Sequence, residues 1–151
     1  MGMALSIIPT AGVSASVAGE WDSAASAASA ARTLYGSCKT PGESFYANVE
    51  AYYTPRDNKD HISTIKFYLG SKGNHQLGTK NNATLRIREA RNNAPDRSLW
   101  TWISKDNIPK GWTTKSVGIA VNYSVKWHAD FEFTFDRSGG DPKCSGRTSG
   151  A

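Results

Sequence analysis

The sequence predicts a small all-β domain closed by one disulfide and preceded by an N-terminal arm. Three observations predict it. From Cys38 onward, apolar and polar residues alternate with period two, as in strands that bury one face. Clusters of Gly, Pro, Asn and Asp interrupt the alternation at short intervals, as turns do. The chain has two cysteines, Cys38 where the alternating region opens and Cys144 where it closes, 106 positions apart.

A length of 151 residues suits one domain with a real core. Few Leu or Met are present, so five Trp, six Tyr and five Phe must supply much of its volume. A formal net charge of +5 favours acidic partners, such as nucleic acid, an anionic cell-wall polymer or an acidic protein. Charge alone gives no nucleic-acid site, and none is expected.

Residues 1–18 read as a signal-peptide-like segment. Met3 to Ala18 is apolar and then rich in small residues, with Ser16 and Ala18 at the −3 and −1 positions of a cleavage site. No Lys or Arg precedes Arg32, so the usual basic head is missing. Pro9 and Gly12 interrupt the stretch, which is too short to span a membrane. Export, if it occurs, favours a Cys38–Cys144 disulfide over two free thiols. The cysteines form no C-x-x-C pair, which speaks against zinc.

Residues 19–37 read as an Ala/Ser-rich arm. Ser23 to Ala31 is almost entirely Ser and Ala, with Asp22 or Ser23 as helix cap. A helix of about ten such residues is marginal alone and has no apolar stripe to dock. The arm is either a plain leader or a partner-binding segment anchored by Trp21, Leu34 and Tyr35.

Residues 38–145 read as the β domain. Phe45, Ala47, Val49, Ala51 and Tyr53 alternate with polar neighbours in a first strand, and Thr54 to Asn58 is a turn. Ile65, Phe67 and Leu69 mark a second strand, ended by Gly70 to Asn74. Leu85 and Ile87 alternate with Arg86 and Arg88 in a third, and Asn92 to Asp96 is a loop. Leu99 to Ile103 forms a fourth, followed by the turn Asn107 to Gly111. From Val117 to Phe135 every odd position is apolar or aromatic. One strand of that length would span about 60 Å, so the run must break. The break is expected near His128-Ala129-Asp130, or alternatively at Asn122-Tyr123. Five to seven strands result, spaced as in a β-sandwich of immunoglobulin-like or similar kind, with a small barrel as the rival. Residues 146–151 read as a flexible tail.

The candidate chemistry is thin. His61, His75 and His128 are scattered, and only His128 and Asp130 share a strand face. Asp130 and Glu132 also share one, at a spacing of roughly 7 Å that a glycosidase pair could use. Any acidic strand face offers the same, so His128, Asp130 and Glu132 are read as solvated. No G-x-S-x-G, P-loop or G-x-G-x-x-G occurs. Asp136 to Cys144 brackets Gly139-Gly140 with two aspartates but lacks a calcium-loop ligand pattern, and reads as a turn into the disulfide. The sequons at Asn82 and Asn122 mean little in a bacterial chain, which the Ala/Ser/Gly-rich leader suggests. No catalytic residue, metal or cofactor is expected. Trp100 and Trp102 share one strand face near Arg86, Arg88, Arg91 and Arg97. If exposed, they form an interaction surface for a protein or a glycan; if buried, they are core.

The segment Phe131 to Cys144 (FEFTFDRSGGDPKC) resembles the close of small secreted β domains of filamentous actinobacteria that begin with a Cys and run through Tyr-rich and Arg-rich strands. Among such proteins, the chain resembles the adaptor subunits of umbrella toxin particles. That resemblance implies a secreted, extracellular, non-enzymatic adaptor for interbacterial competition, joining a lectin-like subunit to a large toxin scaffold subunit. The alternative is a free secreted glycan-binding module or protease inhibitor.

Overall fold

The computed structural model describes residues 30–151. The signal-peptide-like segment, the Ser/Ala run and Trp21 lie outside the described residues. Within them the chain forms β1 (Arg32–Lys39), a 3-10 turn (Pro41–Glu43), β2 (Phe45–Arg56), β3 (Lys59–Ser71), β4 (Asn82–Glu89), β5 (Arg97–Ile103), β6 (Gly111–Asn122), β7 (Trp127–Thr134) and β8 (Lys143–Arg147).

Alternation dictates two antiparallel sheets, ordered β1-β2-β3-β6 and β5-β4-β7-β8. Each has one apolar face, and the two faces meet as a sandwich. The first sheet contributes Phe45, Ala47, Val49, Ala51, Ile62, Ile65, Phe67 and Leu69; the second contributes Leu85, Ile87, Trp127, Phe131 and Phe133, all buried. Each large side chain buried in this way contributes roughly 1.5–3 kcal/mol. Aromatic contacts bridge the layers: Phe67 meets Phe133 at 5.2 Å between ring centroids, and Phe45 stacks on Phe135 at 5.6 Å. The strand order departs from the immunoglobulin arrangement, because β1, β2 and β3 form a continuous meander in one sheet.

Local chemistry sets the connections. β2 and β3 join through Asp57 and Asn58, both in the left-handed region (φ 53° and 58°), as a two-residue hairpin turn requires. The β3–β4 and β7–β8 loops are tied together by Asn81, which is fully buried. Its Nδ2 donates to the carbonyls of Gly78 (2.9 Å) and Ile108 (2.8 Å), and its Oδ1 accepts from the Asp136 amide (2.7 Å).

The two sides of the sandwich differ. On one side β1 lies against β8. Cys38 and Cys144 are disulfide-bonded with Cα atoms 5.6 Å apart, and the Ser149 amide donates to the Tyr35 carbonyl at 3.0 Å. Glycines allow this approach: a Cβ on Gly36 would meet the Arg147 carbonyl oxygen at 2.7 Å, and one on Gly146 would meet the Ser37 carbonyl oxygen at 3.0 Å. On the other side β5 and β6 are the free edges of their sheets.

Four expectations are corrected. The domain begins at Arg32 rather than Cys38, because residues 32–37 pair with β2 along their whole length. Residues 146–151 are no loose tail: Gly146 and Arg147 pair with β7, the Thr148 amide donates to the Ala129 carbonyl (2.9 Å), and Ala151 exchanges hydrogen bonds with Trp127. The long odd-position run breaks after Asn122, at the alternative Asn122-Tyr123, and not at His128-Ala129-Asp130, which lies inside β7 and pairs with Arg88 to Arg86. Eight described strands replace the five to seven expected, since β1 and β8 were not anticipated.

Candidate functional site

The open side of the sandwich is built from β5 and β6. Trp100 and Trp102 stand opposite Ile87 and Leu85 in the ladder, so both point toward the core. Because β5 has no neighbour beyond it, they are only half-buried. A bulge increases the effect: Ile87 faces Trp100 while Arg88 faces Ser98, so Leu99 is the extra residue and also packs against the core. On β6, Val117 and Ile119 occupy the inward phase, and Val125 follows in the next turn. Together these side chains form a half-buried apolar stripe between two unpaired strand edges. A cleft of about 280 Å³ runs along its end, lined by Arg97, Leu99, Ile119, Val121 and Val125 among others. Lys115 also points inward from β6, and its ammonium lies 4.8 Å from the centroid of the Trp102 ring.

The outer face of the second sheet is charged. Strand register sets Arg86 opposite Asp130 and Asp130 opposite Arg147. The Asp130 carboxylate lies 3.4 Å from Arg88 Nη1, 3.6 Å from Arg147 Nε and 3.0 Å from His128 Nε2. His128 also lies 3.5 Å from Asp96, and Arg88 donates to the Asp96 carbonyl at 2.6 Å. His128 and Asp130 are close enough to pair but out of line for a hydrogen bond. The expectation of a solvated His128 is therefore corrected: its side chain is 6% exposed beneath these neighbours. Glu132 is exposed and faces Ser145 and Thr84 rather than another acid. The network pins the β4–β5 loop to β7.

The expected site residues divide. Leu34 is 7% exposed in the core, so its side chain cannot anchor an arm. Tyr35, on the same strand but the opposite phase, is 63% exposed. Trp100 and Trp102 fall together on the open side, and Cys38 with Cys144 closes the other. Asp136 and Asp141 are engaged with backbone, Asp136 accepting from the Lys80 amide and Asp141 from the Arg137 amide. Among the described residues, no cluster of three His, Cys, Asp or Glu side chains could hold a metal ion, and no helix is long and apolar enough to cross a membrane.

Sequence reasoning missed one surface. Tyr46, Tyr52, Tyr68 and Trp112 all occupy the outward phase of the first sheet. The available signal was two tyrosines at the polar positions of Phe45–Arg56, where charged or hydroxyl side chains are the rule. The chain matches no family model, no curated protein and no solved structure.

Proposed function

We propose that the chain is a non-enzymatic, exported adaptor that holds another protein of an extracellular assembly at the open side of its sandwich. One observation carries this reading: a half-buried apolar stripe, with Leu99, Trp100, Trp102, Val117 and Ile119, lies between two unpaired strand edges. An extended segment laid there would gain backbone hydrogen bonds from β5 or β6 and bury its alternate side chains on the stripe. Lys115 sits in the middle of it and would select a segment with an acidic residue in register. The disulfide supports an oxidising location. An adaptor also needs a second contact, for which residues 19–29 of the arm, with Trp21, are the natural candidate. The likeness of FEFTFDRSGGDPKC to the close of the actinobacterial domains directs the search toward a lectin-like subunit and a toxin scaffold subunit.

The test is a pull-down of the tagged, secreted chain from its native culture medium, alongside Ile119→Lys and a form starting at Ala30. A deletion through residue 36 would remove five of the eight residues of β1 and is unsuitable. The expected result is that large secreted proteins co-elute with the wild type, and that Ile119→Lys loses one of them while its circular dichroism is unchanged. Identical capture by all three forms overturns the proposal. A lone monomer overturns it too, in favour of the free glycan-binding module or protease inhibitor.

A further inference from the structure

The outer face of the first sheet carries aromatic rings that the core does not require. Strand register places Asn48, Tyr68 and Trp112 in one row across β2, β3 and β6, with Tyr46 beside Gly70 in the next. Tyr46 and Tyr68 stack with centroids 6.1 Å apart, and Tyr68 meets Trp112 at 5.4 Å. A Cβ on Gly70 would lie 2.6 Å from Tyr46 Cζ and 2.8 Å from Tyr68 Cε1, so both rings lean over bare backbone. Both rings are half-buried against that backbone and each other. Trp112 is 51% exposed. The three rings reach across three strands, roughly 10 Å at the usual spacing.

The surroundings are polar. Outward neighbours in the same ladder include Asn48, Glu50, Thr64, Lys66, Thr114 and Ser116. The charges are not balanced. Lys39 and Lys72 both pair with Glu43, and the Glu50 carboxylate accepts from the Tyr52 hydroxyl. Lys66 forms no ion pair among the described residues, and its ammonium is held 5.0 Å from the centroid of the Trp112 ring.

We propose that this face binds an acidic polysaccharide, with pyranose rings stacked on Tyr46, Tyr68 and Trp112 and a sugar carboxylate against Lys66. A pyranose ring has an apolar C–H face and a rim of hydroxyls. That pattern fits supported aromatic faces set among amide, hydroxyl and carboxylate groups. A protein hot spot instead fills a desolvated pocket, which this open sheet face does not provide. The unpaired Lys66, on a chain of net charge +5, selects the anionic sugar over the neutral one. This surface is separate from the open side, so it stands or falls independently of the adaptor reading.

The test is intrinsic Trp fluorescence of the full chain titrated with oligogalacturonate, with cellohexaose as the neutral comparator. The expected result is saturable quenching by oligogalacturonate, at least tenfold weaker binding of cellohexaose, and at least a tenfold loss of affinity in Tyr68→Ala, which keeps every Trp reporter. Lys66→Gln is expected to remove most of the salt dependence, and Ile119→Lys to leave binding unchanged. No saturable quenching, equal affinity for cellohexaose, or wild-type affinity in a folded Tyr68→Ala overturns the proposal.

Discussion

The indole Nε1 of Trp127 donates to Asp60 Oδ2 at 2.9 Å, joining β7 of one sheet to β3 of the other inside the sandwich. Trp127 has no exposed surface and Asp60 is 7% exposed. Tyr53 meets the same indole edge-on at 5.2 Å. Burying a carboxylate is costly unless a donor satisfies it, so the pair locks the relative placement of the sheets at this end.

Trp127→Phe keeps an aromatic ring but leaves the Asp60 carboxylate without its indole donor. Loss of a hydrogen bond to a charged group predicts a destabilisation of about 2–3 kcal/mol, to which lost packing adds. Asp60→Asn retains an acceptor oxygen without a charge and is expected to cost less. Urea denaturation of both variants checks the order. If Asp60→Asn proves the more damaging, the carboxylate's charge has a further partner.

The seam between β1 and β8 supplies a second prediction. Its cross-link spans 106 positions, and loop closure of that size is worth about 4–5 kcal/mol in the chain-entropy model. A Cys38→Ser, Cys144→Ser double variant should therefore lose a large part of the stability of a small domain. Gly36→Ala should destabilise even with the disulfide intact, because the added carbon meets both the Arg147 carbonyl and the Phe131 ring at under 3 Å. Thermal melts of both variants, oxidised and reduced, separate the cross-link from the close approach. A Gly36→Ala melt equal to wild type would mean the seam can open.

That seam also explains where the sequence was opaque. β2 to β5 could be read because each sets large apolar residues against polar neighbours. The inward phase of β1 runs Leu34, Gly36, Cys38, and that of β8 is Cys144 and Gly146. Small residues are needed for the two edges to meet, and the same smallness erases the alternation that marks a strand. The choice between a break at Asn122-Tyr123 and one at His128-Ala129-Asp130 was left open by parity. Val121 and Trp127 both face inward and are six positions apart, so the turn between them preserves the odd-position pattern. The candidate surfaces were legible in proportion to their edges. Trp100 and Trp102 could be placed on one face, but whether that face was core or exposed depended on β5 being an edge strand, which strand spacing does not reveal. Tyr46, Tyr68 and Trp112 are distant in sequence and become one cluster only through the register of three strands.

Tyr52 gives a pH-dependent prediction on the aromatic face. Its hydroxyl donates to the Glu50 carboxylate, and that hydrogen bond, helped by partial burial and by the negative charge of Glu50, raises the phenol above its ordinary range. Because the folded value lies above the unfolded one, the protonated phenol stabilises the fold. That contribution is fully present below about pH 10, and is lost as pH rises through the raised folded value. Tyrosinate absorbance should therefore show Tyr52 titrating above the ordinary phenol range, a late phase that disappears in Tyr52→Phe. In Glu50→Gln the hydrogen bond can persist but the charge is gone, so that phase should move down. In Glu50→Ala it should fall back to the ordinary range, without loss of strand content at neutral pH. A late phase that survives Glu50→Ala or Tyr52→Phe overturns the assignment to this pair.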